Sequence, residues 1–200
     1  MFVISSWYNS SMEKIEKAFH IINRSDFVPE STRDKAFIDI PLPIGYGQTI
    51  SQPSTVKSML YWLDLKVSEK VLDIGSGSGW TTALLSTIVG REGKVYAVEL
   101  IPELLKFGKL NCKKVGIKNA NFYLAGKNYG LPNFAPFDKI LVSASANRLP
   151  IELIYQLKIG GKIVIPVLDD ILEITKTSDK NFKTINHPGY IFVPLIDYKK

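Results

Sequence analysis

At 200 residues with 46% hydrophobic composition, the chain has one domain's length and enough apolar material for one sizeable core, with nothing to suggest a second. A single cysteine, Cys112, excludes an internal disulfide and a multi-cysteine zinc site and fits a reducing compartment. The net charge of +6 is carried by scattered lysines with no block of five or six, so it does not by itself call for nucleic acid. No apolar run is long enough to span a bilayer, and the start MFVISSWYNS lacks the basic segment and long apolar stretch of a signal peptide, so a soluble, cytoplasmic protein is expected.

In chain order, Ser10 and Ser11 are candidate caps for a first helix over Met12 to Ile22, with Ile15, Phe19 and Ile22 on one face. Phe27 to Gln48 is rich in proline and glycine and predicts little regular structure. A helix from Ser54 to Leu63 follows, with Pro53 at or near its first turn. Strands are then predicted at Lys70 to Ile74, Lys94 to Val98, Asn121 to Leu124, Lys139 to Ser143 and Gly161 to Pro166. Helices are predicted between them at Trp80 to Val89, Pro102 to Val115 and Pro150 to Leu157. This alternation is the pattern of a doubly wound, mostly parallel α/β sheet. Two last strands, Ile171 to Thr175 and Tyr190 to Leu195, are joined by the short polar stretch Lys176 to Pro188, which implies antiparallel pairing at the far edge. Pro194 would confine the last strand to an edge or bulge, whose free backbone could add an extended peptide.

Two runs carry the chemistry. In VLDIGSGSGW, Val71 to Trp80, a short apolar strand stops at a turn where Gly75, Gly77 and Gly79 alternate with Ser76 and Ser78, and a helix follows. Such a turn needs residues that tolerate positive φ and leave room for a ligand, and the helix behind it offers unpaired N–H groups to a carboxylate or phosphate. The next strand ends in Glu99, roughly 20 residues beyond the glycines, where doubly wound folds place an acid for ribose hydroxyls. Dinucleotide enzymes usually show G-x-G-x-x-G, whereas the spacing here is G-x-G-x-G with Asp73 before it. That variant resembles the motif of class I S-adenosylmethionine-dependent methyltransferases. The resemblance implies that Gly75, Gly77 and Gly79 approach the methionine part of the cofactor and that Glu99 holds its ribose.

The other run is PLPIGYGQTISQPSTV, Pro41 to Val56. Together with FVPE at Phe27, PFD at Pro136 and FVPL at Phe192, it resembles the protein-L-isoaspartate O-methyltransferase family over nearly the whole chain. The resemblance implies a seven-stranded Rossmann-like sheet with an N-terminal helical and irregular extension, in one domain over 1–200. Residues 1–56 would form a substrate or cap segment and 57–200 the cofactor-binding core. It implies S-adenosylmethionine as cofactor, isoaspartyl proteins or peptides as partners, no metal and a monomer. Methylation of the α-carboxylate left by aspartate or asparagine isomerisation would be followed by unassisted closure to a succinimide, and so by repair.

By the same resemblance Ser51 matches the active-site serine, orienting the acceptor carboxylate through its hydroxyl. Thr49, Ile50, Asp73, Gly75, Ser76, Gly77, Gly79, Glu99, Leu100, Lys127 and Asn128 would face the cofactor; Gln48, Ser51, Val193 and Leu195 would face the substrate. Asp39 also fits a family position, better suited to holding a loop than to meeting an anionic acceptor. Gly126-Lys127-Asn128 stands where the family has Gly-Asp-Gly, and lysine, which has no acceptor, cannot take a bond from the adenine amino group. Ser143 to Arg148 is polar where the family is often apolar. Neither His20 nor His187 lies in a motif. A tRNA adenosine methyltransferase, a non-catalytic relative that binds peptide, and a carboxyl methyltransferase acting on ordinary aspartate are the competing readings.

Overall fold

The computed structural model describes residues 3–196. Its elements are α1 (Val3–Ile21), β1 (Leu42–Gly45), β2 (Gln48–Ile50), α2 (Pro53–Leu63), β3 (Lys70–Ile74), α3 (Trp80–Val89), β4 (Lys94–Glu99), α4 (Pro102–Lys114), β5 (Ala120–Leu124), β6 (Phe137–Val142), α5 (Ile151–Tyr155), β7 (Leu157–Val167), β8 (Asp170–Lys176) and β9 (Phe182–Pro188), with short 3-10 turns at Arg24–Phe27, Glu30–Lys35 and Pro132–Phe134. Seven strands form one sheet in the order β5-β4-β3-β6-β7-β8-β9, and β1 and β2 form a separate hairpin. Strands β5 to β7 run parallel, while β8 is antiparallel to β7 and β9 to β8.

Parallel strands buried on both faces read as continuous apolar runs. Val71 and Leu72 of β3 are both fully buried, as are Ile140 and Leu141 of β6. Val71, Leu141 and Val164 share one core with residues of α1 to α4; Leu72, Ile140 and Ile163 share the other with Leu153 and Ile154 of α5. The chain steps from β3 to β4 on one side, and β6 joins β3 on the other. Open α/β sheets bind ligands at such a switch point, outside the carboxyl ends of the strands.

Strand β3 and helix α3 keep their expected bounds, and β4 to β6 shift by one or two residues. Three expectations need correction. Helix α1 begins at Val3, because nothing from Val3 to Ser11 is a glycine or proline that would break it, so Ser10 and Ser11 lie within the helix. Helix α5 stops at Tyr155, because the Gln156 side chain turns back to bond the Tyr129 carbonyl and the Leu131 N–H, and β7 begins at Leu157. The last strand is Phe182–Pro188, within the stretch taken as a connection, and Tyr190 to Leu195 is not a strand beyond a single bridge of Pro194 with Ser145. An edge strand exposed on both faces has no apolar alternation to announce it: six of the seven residues of β9 are exposed.

Candidate active site

The hairpin β1–β2 turns through Gly45, Tyr46 and Gly47, all at positive φ. Its inward Ile44 packs against the glycine turn after β3, where a Cβ on Gly77 would stand 3.2 Å from Ile44 Cδ1. The two sequence runs are therefore in direct contact. Gly79, at φ 86°, answers a different need: a Cβ there would lie 2.7 Å from the Gly108 carbonyl oxygen of α4. Gly75 is the glycine of the three that lines the ligand cleft, so the other two serve the packing that shapes it.

The N-terminal segment is held by one side chain that sequence reasoning missed. Arg24 is 5% exposed, and its guanidinium donates to the carbonyls of Ala36, Ile38, Ile40, Ile50 and Ser51 at 2.8 to 3.4 Å. It also lies 5.4 Å from the ring centroid of Trp80. Burial lowers its pKa to about 10, against the pull of Asp39, so it stays charged at neutral pH. Asp39 itself accepts from the Ser54 N–H and from Gln52 Nε2, which hold its carboxyl below the usual range and tie the loop to the start of α2. The one signal for Arg24 was its type: a chain with 21 lysines and four arginines places an arginine where a planar fork of donors is needed.

An open cleft lies at the switch point, outside the carboxyl ends of the central strands. It is lined by Gln48 and Thr49 of β2, Gly75, Glu99, Leu100, Lys127, Asn128, Val193 and Leu195 among the expected residues, with Val98, Ile101 and Leu104 adding apolar wall. A smaller cavity joins it through the shared residues Thr49, Gly75 and Ser143, and adds Ile50, Ser51, Ser76, Ser78, Trp80 and Thr81. Asp73 lines neither cavity. It is fully buried, accepts from the hydroxyls of Thr82 at 2.6 Å and Thr81 at 3.2 Å, and has its pKa pushed up to about 6 by burial.

Glu99, 6% exposed, accepts from the Gly77 N–H at 2.7 Å through Oε2 and from the Leu100 and Ile101 N–H groups through Oε1. It thus locks the glycine turn to the end of β4, and Oε2 keeps a lone pair for a ligand hydroxyl. The Val193 carbonyl accepts from the Ser145 N–H, and the Leu195 N–H donates to the Ser145 carbonyl. These groups are therefore not open to an added peptide strand, and on the opposite edge Pro194 has no N–H to offer. His187 stacks on Trp62 at 3.7 Å between centroids, away from both cavities. Among the described residues no group of three or more His, Cys, Asp or Glu could hold a metal ion, and no helix is long and apolar enough to cross a membrane.

The family model described as protein-L-isoaspartate(D-aspartate) O-methyltransferase matches residues 6–200. A protein-L-isoaspartate O-methyltransferase of Pyrococcus horikoshii is 44% identical over 189 residues, covering 92% of this chain and 85% of the relative. A solved protein-L-isoaspartate O-methyltransferase superposes with a TM-score of 0.86 at 27% identity, over 97% of this chain and 66% of that longer one. Another, from Plasmodium falciparum and solved in complex with S-adenosyl-L-homocysteine, gives 0.78 at 26% identity, over 92% of this chain and 90% of its own. A family model matched over nearly every residue, and a relative 44% identical over 92% of the chain, place this chain in the protein-L-isoaspartate O-methyltransferase family.

Proposed function

We propose that the protein transfers a methyl group from S-adenosylmethionine to the α-carboxylate of L-isoaspartyl residues in damaged proteins and peptides. The observation that carries this reading, beside family membership, is the chemistry around Ser51. The smaller cavity is lined by hydroxyls, an indole, glycine and isoleucine, with no histidine, cysteine, lysine or acid. Glu99, the carboxylate of the larger cleft, is engaged by three backbone N–H groups. An amine or nucleobase acceptor that must lose a proton finds no base beside Ser51. A carboxylate with a pKa near 4 is ionised at neutral pH and needs none.

The cleft fits the cofactor. Glu99 offers an acceptor for ribose, Val98, Leu100, Ile101 and Leu104 form an apolar slot for the base, and Gly75 at φ 76° brings bare backbone to the wall. Lys127 and Asn128 stand at the exposed rim, where the Asn128 side-chain oxygen can accept from the adenine amino group and Lys127 cannot. When bound, S-adenosylmethionine supplies an electrophilic methyl group on a sulfonium. Ser51 donates to the acceptor carboxylate and fixes its direction, Thr49 and Ile50 separate the acceptor from the cofactor, and Gln48 reaches peptide backbone. Val193 and Leu195 cover the mouth against water. Orientation of this kind is worth roughly 7 to 11 kcal/mol. The methyl ester can expel methanol where a carboxylate would have to expel oxide, so the next backbone N–H attacks the ester carbonyl and closes a succinimide without the enzyme.

Methyl transfer from labelled S-adenosylmethionine to paired synthetic peptides, one isoaspartyl and one aspartyl, with unmodified tRNA alongside, tests the reading. Labelling of the isoaspartyl peptide alone is expected. Labelling of tRNA or of both peptides alike would overturn it.

A further inference from the structure

The net charge of +6 resides in one stretch of the chain. No aspartate or glutamate stands between Glu103 and Asp138, and that stretch holds Lys106, Lys109, Lys113, Lys114, Lys118 and Lys127. Of the 25 lysines and arginines, these six leave 19 for the rest of the chain, which match its 19 acids. All six are exposed, and among the described residues none of them is in an ion pair. Lys106, Lys109 and Lys113 recur at helical spacing on the exposed face of α4, with Lys114 and the exposed Leu110 beside them. Lys118 leads into β5, the edge strand of the sheet, and Lys127 follows that strand at the mouth of the cleft. The other end of the stretch also meets the cleft, since Leu104 of α4 lines it. The acids at its border are Glu103 in the first turn of α4 and Asp26 on the 3-10 turn packed against that helix, both exposed and neither paired with these lysines. Like charges at this spacing destabilise a helix, so the row adds no stability to the fold. Nucleic-acid surfaces join such charge to arginine forks and exposed aromatic rings. The exposed face of α4 has neither, and Leu110 offers an apolar contact of the kind found within protein interfaces.

We propose that the lysine face of α4 and the sheet edge beyond it form a docking surface for acidic segments of protein substrates, drawing them towards the cleft. The inference rests on the methyltransferase reading above and names the substrate class it favours: isoaspartyl sites in acidic surroundings. The acceptor is itself an anion, and charges at the rim of a site raise the rate of encounter without touching the chemistry. Steering of this kind acts between exposed charges, so it fades as salt shortens the reach of the field. The surface therefore acts on kcat/KM and leaves kcat alone.

Two peptides share one isoaspartyl core and a flexible spacer, and end in an oligoglutamate or an oligoglutamine tail. Methyl transfer is measured at low and high salt for the full chain and two variants. One combines Lys106→Gln, Lys109→Gln, Lys113→Gln and Lys114→Gln, which keep a good helix former at each place. The other, a control, combines Lys14→Gln, Lys17→Gln, Lys180→Gln and Lys183→Gln, exposed lysines outside the stretch. The parent protein is expected to show kcat/KM about tenfold higher for the glutamate tail at low salt, and equal values at high salt. The α4 variant should lose that advantage while keeping kcat and the value for the glutamine tail; the control should keep the advantage. No advantage in the parent protein, or an equal loss in both variants, overturns the proposal, the second result assigning the effect to net charge alone. The same three proteins are titrated with fluorescent aspartyl versions of the two peptides and with a single-stranded RNA. This reads the surface even if neither isoaspartyl peptide is methylated, a result that would count against the methyltransferase reading instead. Anisotropy should show binding of the glutamate tail that the α4 variant alone loses. RNA bound in preference to that tail, and released by the same four substitutions, would overturn the acidic protein partner and assign the surface to nucleic acid.

Discussion

The two sides of the cleft are built on different principles. The side proposed to hold the cofactor stands on β3, β4 and β6, central strands whose apolar residues are buried on both faces, and its turn is fixed by three backbone N–H groups on one carboxylate. The side proposed to meet the acceptor stands on an irregular segment with only a short hairpin, drawn together by the five carbonyls that share the Arg24 guanidinium. One side is specified by many small apolar contributions and tolerates single losses. The other hangs on one side chain, so it should be separable from the fold by one substitution.

The largest effect is therefore expected at Arg24. Arg24→Ala leaves buried carbonyls without donors and should cost about 3 to 5 kcal/mol in urea unfolding, with isoaspartyl-peptide turnover falling more than S-adenosylhomocysteine affinity. Arg24→Lys should recover little, since an ammonium has three donors against five carbonyls. Equal recovery by lysine would remove the distinction between the two sides.

On the cofactor side, Gly79→Ala combines a positive φ with a Cβ 2.7 Å from the Gly108 oxygen and should cost about 3 kcal/mol. Gly75→Ala, whose Cβ would meet nothing nearer than 3.7 Å, should cost about 1 kcal/mol of stability yet weaken S-adenosylhomocysteine binding more than Gly79→Ala does. Thermal unfolding and calorimetry on both variants would show whether the two glycines divide packing from ligand contact in this way.

Asp73 gives a pH signature of the same buried turn. Its pKa is pushed up from 3.8 to about 6, so the folded state holds the proton longer than the unfolded one. Its contribution to stability therefore falls as pH rises from about 4 to about 6 and is flat above, by about 3 kcal/mol in all. Unfolding free energy measured across that window should decline less steeply with rising pH in Asp73→Asn than in the parent protein, since the remaining carboxylates cancel in the comparison. The smallest effect on the fold is expected from Ser51→Ala: unchanged stability and cofactor affinity, with kcat/KM for an isoaspartyl peptide down about tenfold, the worth of one charge-assisted bond.

What could be read from the residues follows the same division. Strand β3 and helix α3 were legible to the residue because a buried parallel strand, a glycine turn and a buried helix each leave a local pattern. Strand β9 was not, because Phe182–Pro188 is an exposed edge held by its partner β8 rather than by apolar alternation. The apolar run Tyr190 to Leu195 misled for the complementary reason: Val193 and Leu195 line the cleft and bond Ser145. Within the site, Ser51, Glu99 and Gly75 stand in motifs. Arg24 makes its bonds 12 to 27 residues away along the chain, a relation that only the folded segment brings together.

The most direct test of the account is the chemical nature of the product. A carboxyl methyl ester hydrolyses in mild alkali and releases methanol, whereas a methyl group on nitrogen does not. After reaction with methyl-labelled S-adenosylmethionine and an isoaspartyl peptide, the account predicts that the label leaves the peptide as volatile methanol on alkaline treatment, and that the aspartyl peptide yields none. Label that stays bound through alkali, or a protein that binds S-adenosylhomocysteine but labels neither peptide, would contradict it.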